Sequence, residues 1–144
     1  MKKLLIIIFL FTCCISFAQD HKPVSIILDT DIAPDYDDVG AMALLHAFAD
    51  MGEAKILATI SSNAFSTTAP TLSVLNTYFK RPGIPIGITK TALPNKSCSK
   101  QWAEAIVSKY PHALKSNDEA IDAVKLYRKI LSSQPDTSVT IVSV

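Results

Sequence analysis

Apolar positions fall into two patterns along this chain, short unbroken runs and longer stretches with helical spacing, and the two alternate. Residues 24–28, 55–60, 84–88 and 139–144 are mostly apolar and rich in β-branched side chains and are predicted to be strands, the first and last of them buried rather than half-exposed and alternating. Between them, 38–51 carries Val39, Met42, Ala43, His46 and Ala49 on one helical stripe and stops at Gly52, while 68–79 opens with Thr and Pro70 and ends at Arg81-Pro82-Gly83. A short helix is predicted over 102–109, and Ser116-Asn117-Asp118 is read as the cap of a helix over 119–132. The polar stretch 89–101, with Pro94 and Asn95, reads as an exposed loop, either an ordinary connection or a lid. Strands alternating with helices predict an α/β fold, an open and mostly parallel sheet with helices on both faces. His46, alone on an apolar stripe, reads as a hydrogen-bonded core residue before it reads as a catalyst.

Part of the apolar content belongs to no fold. Lys2 and Lys3 precede the apolar run 4–11, and Ser16-Phe17-Ala18 offers small residues for a signal peptidase. Residues 1–18 are therefore expected to be a cleaved signal peptide, with a lipoprotein at Cys13 or Cys14 ranked below simple export, and 19–144 to be the exported, periplasmic or extracellular part. Cleavage would leave no membrane attachment and Cys98 as the sole cysteine, which excludes an internal disulfide framework. A formal net charge of +1 and the lack of a basic stripe argue against a nucleic-acid polymer as partner.

The chemistry is concentrated in one stretch, Asp29-Thr30-Asp31-Ile32-Ala33-Pro34-Asp35-Tyr36-Asp37-Asp38, at the carboxyl end of the first strand. Five carboxylates crowded there would raise one another's pKa unless a cation shared them, and a hard divalent ion with oxygen ligands is the simplest resolution. Asp29 and Asp31 alone could merely end a strand, and Asp37 and Asp38 alone could merely favour a helix dipole. Both pairs on one loop, at the edge where open parallel sheets bind ligands, point to a metal site.

This stretch resembles the N-terminal signature of the calcium-dependent nucleoside hydrolases, the inosine-uridine preferring family: an apolar strand, Asp-Thr-Asp, a short Gly-containing loop, and an Asp-Asp pair opening an apolar helix. Two extra residues precede the pair here, and Ala33 stands where Gly is usual. The similarity continues through Ser62-Asn63, Ile84-Pro85-Ile86-Gly87 and residues 139–144. It implies a Rossmann-like nucleoside hydrolase domain with Ca2+ as cofactor, and hydrolysis of the N-glycosidic bond of ribonucleosides to ribose and free base. Carried over, Asp31 is calcium ligand and general base, Asp38 a calcium ligand, Asp37 a ribose contact, Asn63 a positioner of water or ribose, Asp29 a supporting residue, and the Val144 backbone carbonyl a further ligand. Asp35 aligns with the two extra residues and is expected to matter less. The partner implied is a small-molecule nucleoside, with a homo-oligomer left open. The resemblance also implies site residues in a C-terminal half, so the chain reads as the N-terminal part of a larger domain, inactive by itself.

Two other readings are weighed. A haloacid-dehalogenase-type phosphatase also places Asp-x-Asp after an apolar strand, with the first carboxylate as nucleophile, but it has no use for Asp37-Asp38. A catalytically silent calcium- or ribose-binding homologue would keep the ligands without the reaction.

Overall fold

The computed structural model describes residues 22–91 and 94–144, so the expected signal peptide, 1–18, lies outside the described residues. The elements run β1 (Val24–Thr30), α1 (Asp37–Asp50), β2 (Ala54–Ser61), α2 (Thr68–Tyr78), β3 (Ile86–Ile88), α3 (Trp102–Lys109), a 3-10 turn (Asn117–Glu119), β4 (Ile121–Asp122), α4 (Ala123–Leu131) and β5 (Val139–Ser143). All strands are parallel in one sheet of order β4-β3-β2-β1-β5. This is the expected α/β architecture. The chain winds outward from β1 to β4 and then returns to β1's other side as β5. Ligands in such sheets bind at the carboxyl ends of the strands where the winding reverses, here the edge shared by β1 and β5.

Alternation along β1 divides the core. Leu28 faces a cluster with Met42 and Leu45 of α1 and Ala69, Leu72 and Leu75 of α2, with Trp102 and Ile106 of α3 packed against it. Ile27 faces the other side, where Ala58, Ile60, Ala123 and Leu126 pack with Tyr127 and Ile130 of α4. Helices therefore cover both faces. Gly87 lets α4 approach closely, because a Cβ there would lie 3.0 Å from Leu126 Cδ2 and 3.3 Å from the Ala123 Cα.

His46 is a buried core residue. Its Nε2 lies 3.2 Å from Asn76 Oδ1, its Nδ1 lies 3.5 Å from Arg81 Nη1, and its ring stacks on Phe79 with centroids 4.6 Å apart. Asn76 in turn donates to Thr59 Oγ1 at 3.0 Å, linking α1, α2 and β2 through side chains. Burial, the largest influence, holds the imidazole below its ordinary pKa.

Four expectations from the pattern are corrected. The run 84–88 enters the sheet only at Ile86, after Pro85, whose carbonyl accepts from Thr59 N at 3.0 Å. The predicted helix over 119–132 is broken into a 3-10 turn, the two-residue strand β4 and α4. The cap of α4 is Asp122, whose carboxylate accepts from Lys125 N at 2.9 Å. Asn117, read as that cap, serves α2 instead: its Oδ1 accepts from Ala69 N at 2.9 Å. Finally, β5 is not buried on both faces, since among the described residues it pairs only with β1 and leaves Ile141 half exposed. An edge strand needs apolar residues on one face only, and composition does not reveal which strand takes the edge.

Candidate metal centre

Thr30, the last residue of β1, organises the acidic loop. Its hydroxyl donates to Asp38 Oδ1 and accepts from the Ile32 amide at 3.0 Å. The second bond is a local turn that diverts the chain out of the sheet. Ala33 then takes φ +126°, a conformation that favours glycine, and it is fully buried. This is the place where the nucleoside hydrolase signature carries Gly. Tyr36 packs its ring against Trp102, with centroids 5.6 Å apart, and its carbonyl accepts from Gly40 N at 3.2 Å at the start of α1.

The turn gathers three carboxylates. Asp31, Asp35 and Asp38 each offer an oxygen, and the three atoms lie within 4.8 Å of one another. Two oxygens on one calcium ion can be separated by at most twice the metal–oxygen distance, about 5 Å, so the trio is compatible with a shared ion. Asp38 is only 1% exposed, and its Oδ2 is buried without a hydrogen-bond partner. A buried carboxylate oxygen ordinarily has a donor or a cation against it. The residues thus fit a hard cation: a buried carboxylate with one unpartnered oxygen clusters with two further carboxylates. Burial pushes the Asp38 carboxyl up to about 6; the Thr30 hydrogen bond opposes this, and the Asp31, Asp37 and Asp35 charges add to it.

Asp37 lies on the same loop, outside the trio. Its carboxylate shares a hydrogen bond with Asp35 that chiefly raises the pKa of Asp35 and lowers that of Asp37. Asp29 points to the opposite face of the sheet, where the Tyr127 hydroxyl of α4 donates to its Oδ2 at 2.8 Å. Val144 sits beside it, just past the end of β5, its amide donating to the Asp29 carbonyl at 3.1 Å.

Asn63 is fully buried, and both ends of its amide are engaged. Nδ2 donates to the carbonyls of Asp31 at 3.0 Å and Lys96 at 2.8 Å, and lies 3.3 Å from that of Ile32. Oδ1 accepts from Phe65 N at 3.1 Å and Lys96 N at 3.0 Å. Asn63 therefore ties the acidic loop to the middle of the 89–101 connection, where Pro94 O also accepts from Ala64 N at 2.7 Å. In this arrangement it contacts backbone on all sides and positions the loops.

Of the residues singled out from sequence, Asp31 and Asp38 lie in one cluster. Asp35 joins them, and Asp37, Asp29, Asn63 and Val144 lie around the same sheet edge without entering the trio. Thr30 and Tyr127 were missed. Thr30 carried a signal, a hydroxyl between two aspartates at a strand end, whereas nothing in the sequence pairs Tyr127 with a carboxylate 98 residues away. Comparison with protein-family models and with curated protein sequences gives no match to this chain.

Proposed function

We propose that the full-length protein is an exported, calcium-dependent hydrolase of N-ribosides that releases ribose and free base from nucleosides. The reading is supported above all by the Asp31, Asp35 and Asp38 carboxylates clustered at the sheet's switch point, with one oxygen of Asp38 buried and unpartnered. Asp31 and Asp38 would hold the ion, with the Val144 backbone just past the end of the adjoining strand. Calcium bound there supplies a Lewis-acid centre that orients vicinal ribose hydroxyls and acidifies a water. Asp31 accepts the proton of the attacking water at its carboxylate. Asp37, exposed at the rim, accepts a hydrogen bond from a ribose hydroxyl. The surrounding negative charge favours the oxocarbenium character that the ribose ring acquires as the bond to the base breaks. Asn63 keeps the two loops in register, which fixes the distance between base and nucleophile on which such a rate depends.

Ribose release from inosine and uridine by the full-length protein, measured with calcium and after chelation, tests the reading. The expected result is release that requires the cation. Phosphate release from sugar phosphates, with no ribose from any nucleoside, would refute it in favour of a phosphatase.

A further inference from the structure

We infer that Asp35 is a direct ligand of the cation, so that the two extra residues of the acidic loop supply a third carboxylate to the site. The inference rests on the calcium-site reading above and adds a ligand that the resembling signature does not contain.

Two independent observations carry it. Asp35, and not its neighbour Asp37, has a carboxylate oxygen within 4.8 Å of those of Asp31 and Asp38. Separately, Asp38 is buried with Oδ2 unpartnered while Thr30 holds Oδ1, so one acceptor is fixed at the site with no protein donor to satisfy it. A cation that meets the Asp38 oxygen has Asp31 and Asp35 within its coordination span.

The loop explains why Asp35 can reach the site. The positive φ at Ala33 reverses the chain before Pro34, and the contact of Tyr36 with Trp102 holds the residue after Asp35 against α3. Asp35 is thus anchored on both sides while its own side chain remains exposed. A third formal charge raises affinity for a hard divalent ion, because oxygen-ligated calcium sites are tuned by ligand charge count and rigidity.

Calorimetric titration of calcium into the protein, compared with D35N, D37N and D38N, decides the matter without reference to turnover. Far-UV circular dichroism checks that each variant is folded. D35N should bind calcium at least about tenfold more weakly, since it removes a charged ligand, and D37N, whose carboxylate lies outside the trio, should stay within about threefold of wild type. Binding abolished by D38N but unchanged by D35N, or weakened more by D37N than by D35N, overturns the assignment of Asp35 and leaves the calcium site standing. Wild-type protein that takes up no calcium overturns both.

Discussion

Replacing Asp38 with Asn should stabilise the cation-free protein. Ionised Asp38 is buried within reach of Asp31 and Asp35, and only one of its oxygens has a donor. Asparagine keeps the shape and an acceptor for Thr30, removes the charge, and brings an amide donor beside two carboxylates. The magnitude follows from the rise in the Asp38 pKa from 3.8 to about 6. The folded state holds that proton more tightly than the unfolded chain does. The stabilising contribution is therefore complete below about pH 3.8 and is lost as pH rises through about 6. At about 1.4 kcal/mol per pKa unit the cost of the ionised group has an upper limit of about 3 kcal/mol. Solvent reaching the site past exposed Asp35 and Asp37 screens it to about 1–2 kcal/mol. For a domain of this size that corresponds to a Tm increase of about 3–10 °C. Thermal melts of D38N and wild type in chelator should show this gain at about pH 7.5 and none by about pH 4. Added calcium should reverse the order, since an ion at about 100 times its Kd adds about 2.7 kcal/mol to a protein that binds it and nothing to one that does not. A D38N variant less stable than wild type in chelator, or equally stabilised by calcium, would refute the reasoning.

Asn63→Asp keeps the side-chain shape but removes the donor to the Asp31 and Lys96 carbonyls and adds a buried anion. It should cost about 2–4 kcal/mol in urea denaturation and speed amide exchange of Lys96 and Phe65. Tyr127→Phe removes the hydroxyl that donates to Asp29 and should cost about 1–2 kcal/mol by the same measurement. In the wild-type protein the Tyr127 phenol should ionise above the ordinary value of 10, because burial and the hydrogen bond to Asp29 oppose its anion. His46, held below 6.5 chiefly by burial, should contribute stability that is present above pH 6.5 and lost as pH falls through its folded value. NMR titration of the imidazole checks the direction, and using D38N as the background removes the opposite slope that Asp38 contributes.

Much of the fold was legible because its strongest signals are local. Unbroken apolar runs, helical stripes and Gly or Pro stops located β1, α1, β2, α2 and α3, and their alternation fixed the parallel sheet. The failures share a cause, since each depended on a partner distant in sequence. Asn117 opens the 3-10 turn, where local reading made it a cap, yet its amide oxygen accepts from the Ala69 N–H of α2. Residues 121–122 form a strand only because β3 offers an edge to pair with. In the site, the acidic loop was evident from composition. Its internal geometry was not, because alignment to the signature made Asp35 an insertion, whereas a turn at Ala33 brings it to Asp31 and Asp38.

The point at which β1 ends determines which carboxylates can meet. Side chains alternate across a strand, so Ile27 and Asp29 face α4 while Leu28 and Thr30 face α1. Had β1 continued, Asp31 would have followed Asp29 to the α4 face, with the sheet between it and Asp38. The strand stops at Thr30, where the hydroxyl captures the Ile32 amide that would otherwise extend the ladder. The same hydroxyl donates to Asp38. One side chain thus frees Asp31 from the alternation and fixes the carboxylate it is to join. Asp29, left on the far face, is tied to α4 through Tyr127 and anchors the strand end from which the loop departs. The two aspartates of the Asp-Thr-Asp sequence therefore serve opposite faces of the sheet, and the threonine between them makes the separation possible.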